Sequence, residues 1–246
     1  MKLDAFDGPA WRDSDALKAF PVELGDVWRV GNAIFACDDM VTADAPGLLA
    51  RARAAAPGFA GRLVMYTEPP LRQFSATKWR SCAAQVAGVG LINESYNDLV
   101  KALCDLAGEC SDALILVGFY KNVPPVVQAM FKRGWQVQAG VLVDIVGVKV
   151  MVEMMHFTSV AGQRGVTIDL GGVAPNMASE EAAAVILSRL PSGCVVLDPC
   201  MGRGVTGLAA HGAALHTIGI ELNPARVADC VLTYSKRAGV KPTRLE

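Results

Sequence analysis

The segment that most constrains the fold is VVLDPCMGRGVTGLAAHGAALHTIGIELNP, which spans residues 195–224. It begins with an apolar run, breaks at a glycine-rich turn, continues with helix-forming residues and returns to a second apolar run that ends at Glu221. A strand, a helix and a second strand in this order form a βαβ unit, whose two strands run parallel in one sheet. The segment therefore predicts an α/β fold with a ligand site at the carboxyl ends of its strands.

Acids and glycines of this segment fall where a nucleoside cofactor would bind. The first strand delivers Asp198 to the edge of the sheet, and Gly202 and Gly204 let the backbone approach a ligand without Cβ atoms in the way. Glu221 follows roughly 20 residues after the turn, where an acid can accept both ribose hydroxyls. The acid ahead of the glycines disfavours a pyrophosphate, and the lack of Gly-Lys-Ser/Thr argues against a P-loop.

Strand-like and helix-like segments alternate along the whole chain, which predicts a mostly parallel central sheet with helices on both faces. Residues 27–39 alternate like a strand or hairpin, and residues 61–71 and 112–120 are apolar runs typical of buried strands. Two further strands around Gly147 predict an antiparallel hairpin at a sheet edge. The predicted helices are residues 45–58, 95–107, 124–135 and 179–193.

Composition limits the class of protein and its compartment. Hydrophobic residues make up 52% of the 246 residues and charged residues 19%, which predicts a single folded domain, 1–246, with a dense core. The net charge of −1 gives no global signal for nucleic acid, so such a partner needs a local basic patch. We expect no membrane span, no secretory signal and no metal site, and the seven scattered cysteines indicate free thiols in a reducing cytoplasm.

Residues 197–230, LDPCMGRGVTGLAAHGAALHTIGIELNPARVADC, resemble the S-adenosylmethionine-binding half of amino-group DNA methyltransferases. That family reads Asp-Pro-Phe-x-Gly-Ser-Gly-Thr, then a helix, then Ile-Gly-Ile-Glu, and Cys200, Arg203 and Val205 depart from it here. The resemblance implies S-adenosylmethionine as cofactor and a class I, Rossmann-like methyltransferase fold. The cofactor-binding residues that it implies are Asp198, Pro199, Gly202, Gly204, Glu221 and Asn223.

The order of the segments resembles that of circularly permuted members of this family, whose catalytic half precedes the cofactor half. The resemblance covers roughly residues 28–233. It implies a catalytic half at about 28–158 and a cofactor half at about 175–233. A fold of this kind carries its first strand near the end of the chain.

The segment GRLVMYTEPPL, residues 61–71, lies where the family has a strand followed by Asp-Pro-Pro-Tyr. An exocyclic amine of adenine or cytosine is a poor nucleophile, and a polar side chain followed by two prolines can accept hydrogen bonds from it. The resemblance therefore implies Glu68, Pro69 and Pro70 as catalytic residues. Glu68 replaces the usual Asp and Leu71 replaces the aromatic that stacks on a flipped base, so a proline-terminated strand without a catalytic role remains the alternative.

A basic and aromatic loop, RQFSATKWR at residues 72–80, follows this motif. Only residues 159–174 stand where the family inserts a target-recognition region, so DNA contacts must come from loops. The composition of residues 72–80 suits single-stranded or flipped bases and also fits an ordinary solvated loop. The candidate substrate-binding residues are Leu71, Phe74, Lys78, Trp79 and Arg80.

Together these features predict an S-adenosylmethionine-dependent N-methyltransferase that acts on adenine or cytosine in DNA. Two alternatives share the fold. The chain is either a catalytically degenerate binding module or subunit of an assembly, or a methyltransferase for a small molecule or protein, whose pocket needs no recognition region. An apolar stretch at residues 119–127 is a candidate face for a homodimer.

Overall fold

The computed structural model describes residues 14–69, 83–84, 87–88, 96–111, 113–119, 123–145, 148–159 and 179–246. Its strands are β1 Val27–Val30, β2 Ala33–Cys37, β3 Leu63–Thr67, β4 Ala113–Phe119, β5 Trp135–Ile145, β6 Val148–Ser159, β7 Val195–Asp198, β8 His216–Glu221 and β9 Thr243–Leu245. Its helices are α1 Asp15–Ala19, α2 Ala45–Ala55, α3 Tyr96–Cys110, α4 Val123–Lys132, α5 Ser179–Leu187, α6 Val205–Gly212 and α7 Pro224–Ala238, with a 3-10 turn at Pro57–Ala60.

The described strands form one nine-stranded sheet in the order β5-β6-β4-β3-β7-β8-β2-β1-β9. The five central strands, from β4 to β2, run parallel to one another. The β5–β6 hairpin flanks them antiparallel on one side, and β1 with β9 does so on the other. The predicted parallel sheet with an antiparallel edge hairpin is confirmed, and the β1–β9 edge adds a second antiparallel flank.

Strand β7 lies in the middle of this sheet although it comes late in the chain. It pairs in parallel with β3 on one side and with β8 on the other, and Leu197 lies opposite Met65. Parallel strands end at the same edge of a sheet, so the residues after β3 and after β7 lie side by side. Strands from both predicted halves of the chain thus contribute to a single sheet.

Helices cover both faces of the sheet because β3 alternates its side chains between two cores. Met65 packs in the cluster that α2, α3 and α4 share with β8. Val64 and Tyr66 pack in the opposite cluster, with α5 and α6. A third cluster joins α1 and α7 to β1 and β2, with Tyr234 at its centre.

Helix α7 has complete start and stop signals that our sequence analysis did not use. The Asn223 side chain caps its first turn, Pro224 occupies the first helical position and Gly239 ends it with a left-handed φ of 65°. Helix α1 and strand β9 were not predicted either, because five or fewer residues give no periodic signal. Within the described residues, no helix is both long and apolar enough to cross a membrane.

Gly219 in β8 gives Met201 room to pack on the sheet. A Cβ at this position would overlap the Met201 Sδ and stand 3.2 Å from its Cβ. We expect Gly219→Ala to lower the free energy of unfolding by about 1–3 kcal/mol because the site is already filled. Urea denaturation measures this loss.

Gly212 provides the matched control, because a Cβ there would meet nothing within 4 Å. We expect Gly212→Ala to change the free energy of unfolding by no more than about 0.5 kcal/mol. The losses caused by Gly219→Ala and Met201→Ala should add incompletely in the double variant, since the two residues touch. Full additivity would contradict the packing of Met201 against β8.

Candidate cofactor and active site

The turn after β7 needs glycine for two reasons. The Cys200 N–H donates to the Asp198 Oδ1 at 3.0 Å, which bends the chain at once after the strand. Gly202 and Gly204 then adopt φ values of 54° and 77°, in the left-handed region that glycine tolerates. A Cβ at Gly204 would also lie only 2.8 Å from the Cys230 Sγ of α7. The backbone conformation and the close approach of α7 both exclude a larger residue at that position.

Glu221 connects this turn to the start of α7. Its Oε2 accepts the N–H of Gly202 at 3.0 Å, and its Oε1 accepts the N–H of Asn223 at 2.8 Å. The residue is partly exposed, and each carboxylate oxygen has a further lone pair. Glu221 therefore fixes the turn and retains acceptor capacity at the edge of the sheet.

Asn223 and Pro199 are both buried. The Asn223 Oδ1 accepts the N–H of Ala225 at 2.9 Å, so this side chain is occupied as the cap of α7. Its backbone N–H supports Glu221, as described above. The cofactor contacts predicted for Asn223 and Pro199 stay predictions, and in this structure Asn223 reaches the site only through Glu221.

Asp198 is a buried acid with polar neighbours. It is 3% exposed, and burial raises its pKa to about 6, although the Thr206 hydroxyl, the Cys200 N–H and the Thr67 hydroxyl act in the opposite direction. Thr67 is 0% exposed, and its Oγ1 lies near this carboxyl without completing a hydrogen bond of good geometry to any described residue. Asp198 is thus anchored at the base of the turn.

Glu68 follows β3 directly and meets the end of β7. Its side chain is mostly buried, and this burial raises its pKa to about 7, with further increases from the charges of Asp198 and Glu180. The mutual influence of Glu68 and Asp198 follows from the parallel pairing of β3 with β7. The structure therefore brings the predicted catalytic acid and the predicted cofactor turn to one edge of the sheet.

Three side chains at this edge were missing from the predicted site. Thr67 and Thr206 flank Asp198, and Glu180 acts on Glu68 from the first turn of α5. The position of Thr67 at the end of a buried strand is a signal that sequence analysis could have used. The Glu180 charge fits an ordinary helix start, so its proximity to Glu68 emerges only from the tertiary structure.

The remaining predicted residues of the catalytic corner can be placed only in part. Pro69 is buried directly after Glu68. Pro70 and the candidate substrate-binding residues Leu71, Phe74, Lys78, Trp79 and Arg80 lie outside the described residues. Their predicted roles stay predictions.

Solved structures share this arrangement of helices and strands. M1.HpyAVI aligns with a TM-score of 0.53 at 17% identity, over 80% of this chain and 97% of that chain. The PvuII DNA methyltransferase (cytosine-N4-specific) aligns with a TM-score of 0.54 at 12% identity, over 82% of this chain and 86% of that chain. The chain has a class I methyltransferase fold. The predicted fold class is confirmed.

Two similar structures contain S-adenosylmethionine. One is TTHA0409 of Thermus thermophilus, which aligns with a TM-score of 0.50 at 13% identity over 82% of this chain and 94% of that chain. The other is a complex of M1.HpyAVI, with a TM-score of 0.53 at 14% identity over 80% and 97% of the two chains. No protein-family model and no curated protein sequence matches the chain. These similarities show the fold, and the function rests on the site.

Glu68 makes stability depend on pH in a defined direction. Its pKa rises from an ordinary 4.5 to about 7, so the folded state binds the proton more tightly and loses stability as the pH rises from about 5 through 7. We expect Glu68→Gln to be more stable than the natural chain at pH 8 by about 1–3 kcal/mol and to lose this advantage at pH 5. Urea unfolding at both pH values measures the difference.

Glu181→Gln is the matched control, since Glu181 is the exposed neighbour of Glu180 in the same helical turn. This variant should show the same small stability change at both pH values. A stability difference for Glu68→Gln that is equal at pH 5 and pH 8 would mean that Glu68 is not the buried acid described above.

Proposed function

We propose that the chain is an S-adenosylmethionine-dependent methyltransferase that acts on an exocyclic amine of adenine or cytosine in DNA. The observation that carries this proposal is the parallel pairing of β3 with β7, which sets Glu68 beside the turn that begins at Asp198. The cytosine-N4-specific enzyme among the similar structures supports an exocyclic amine as target, and the two S-adenosylmethionine complexes support the cofactor.

The turn after β7 fits this cofactor. A Cβ at Gly202 would have no neighbour closer than 3.9 Å, so this side of the turn is open and presents backbone to a ligand. Glu221 has lone pairs available for ribose hydroxyls, and Asp198 lies at the base of the turn. We assign Asp198, Gly202, Gly204 and Glu221 to cofactor binding. S-adenosylmethionine supplies an activated methyl group when it is bound.

The residues after β3 would orient the target amine. The Glu68 carboxylate accepts a hydrogen bond from the amine and receives the proton that the nitrogen gives up on methylation. Its pKa of about 7 suits a group that takes up a proton near neutral pH. Pro69 fixes the backbone next to it, as the fixed φ of proline requires. Glu68 is one methylene longer than the Asp of the family pattern, so it reaches further from the strand.

The order of the sheet supports a circular permutation. The turn-bearing strand β7 is central in space, whereas the candidate catalytic strand β3 precedes it by more than half of the chain. We infer that residues 28–158 form the catalytic half and residues 175–233 the cofactor half of one methyltransferase domain. The parallel β3–β7 pair joins these two halves.

Incubation with methyl-labelled S-adenosylmethionine and DNA tests this function. We expect label in N6-methyladenine or N4-methylcytosine after hydrolysis of the DNA, and separate single-stranded and duplex samples show which form is accepted. Glu68→Gln should lower the rate by about 100-fold to 10,000-fold, because a positioned proton acceptor contributes that much. Glu181→Gln should leave the rate unchanged.

Label on a protein or a small amine instead of DNA would replace DNA as the substrate. Binding of the cofactor without transfer to any of these acceptors would favour the catalytically degenerate module. Full activity of Glu68→Gln would show that the corner after β3 is only a proline-terminated strand.

Glu221 should determine cofactor affinity. We expect Glu221→Ala to weaken binding of S-adenosylmethionine by about 10-fold to 100-fold, because it removes hydrogen bonds to a charged group. Isothermal titration calorimetry measures the affinity, and urea unfolding of the same sample shows whether the turn is intact. Glu23→Ala, at an exposed acid ahead of β1, should bind as the natural chain does. Equal affinities of the two variants would contradict the assignment of Glu221.

A further inference from the structure

Carboxyl groups from three elements face one space at the edge of the sheet. Glu68 follows β3, Asp198 ends β7 and Glu180 lies in the first turn of α5. The charges of Asp198 and Glu180 both raise the pKa of Glu68, and all three acids raise the pKa of Tyr66. Among the described residues, the charges that shift the Glu68 pKa are therefore all negative. We call these three acids the carboxyl cluster.

The fold holds this cluster in place from one side of the sheet. Tyr66 packs with α5 in the core on that side. Side chains alternate along a strand, so Glu68 points to the same face two residues later. Helix α5 begins above this face, which brings Glu180 over the end of β3. Asp198 completes the cluster from the neighbouring strand β7.

A buried hydroxyl beside the cluster indicates that a polar ligand completes the site. Thr67 is 0% exposed, and its Oγ1 has no hydrogen-bond partner among the described residues. The same hydroxyl lies near the Asp198 carboxyl. A buried polar atom without a partner is unfavourable and is rare in folded proteins. Thr67 and the carboxyl cluster thus point independently to a ligand that has hydrogen-bonding groups and positive charge.

An organic cation fits this space better than a metal ion. The described residues contain no group of three or more His, Cys, Asp or Glu side chains placed closely enough to hold a metal. The three carboxyls therefore surround a wider space, which suits a larger cation with spread charge.

We propose that the carboxyl cluster selects the cationic S-adenosylmethionine over its neutral thioether product, S-adenosylhomocysteine. This inference rests on the proposed function, because it concerns the same cofactor site. The two molecules share their adenosine, ammonium and carboxylate groups, and the sulfonium charge distinguishes them. An acidic site attracts only the form that carries this charge. The product loses this attraction once the methyl group has gone, so the cluster favours its release.

Calorimetry at pH 8, where Glu68 is ionised, tests the selection without measuring activity. The probes are S-adenosylmethionine, S-adenosylhomocysteine and sinefungin, in which an amine-bearing carbon replaces the sulfonium. We expect the natural chain to bind both cationic probes more tightly than S-adenosylhomocysteine. Glu180→Gln should reduce this preference about threefold, the effect of one largely exposed charge, and leave S-adenosylhomocysteine affinity unchanged.

Glu181→Gln is the control, since it removes an equal charge from the same helical turn but from a residue that does not act on Glu68. It should retain the full preference for the cationic probes. Equal binding of S-adenosylmethionine and S-adenosylhomocysteine, or equal effects of the two variants, would overturn the inference while the cofactor assignment stands. Failure of all three probes to bind would overturn the proposed function and this inference together.

Discussion

The parallel hydrogen bonding between β3 and β7 holds the candidate site together. All residues of both strands are buried, so the pair is fixed by the cores on both faces of the sheet. Since the two strands end at the same edge, Glu68 and Asp198 meet although they are far apart in the chain. A change that separated these strands would divide the site into two unrelated halves.

Two acids at this edge resist burial in different ways. Asp198 is compensated in part by the Thr206 hydroxyl and the Cys200 N–H, which oppose the effect of burial on its pKa. Glu68 has only acidic neighbours among the described residues that act on its pKa. Buried acids of this kind reduce stability and are kept where they serve binding or catalysis. The stability cost therefore falls on the residue for which we propose the chemical role.

The cofactor turn is shaped by its neighbours as much as by its own glycines. Cys230 of α7 occupies the space beside Gly204, and Met201 fills the space above Gly219 of β8. Glu221 ties the turn to the start of α7, which Asn223 caps. Strand, turn and helix thus support one another, so the open side at Gly202 is the side left for a ligand.

Local patterns determined the parallel sheet, the glycine turn and the acid at the end of β8, because strand and helix periodicity and glycine conformations are encoded in neighbouring residues. Resemblance of motifs added Glu68 as a catalytic candidate. Only the tertiary structure decided that Glu180 and Thr67 belong to this site and that Asn223 is occupied as a helix cap. The physical reason is that strand order and the approach of α5 depend on which apolar faces pack together across the whole chain, and no local pattern contains that information.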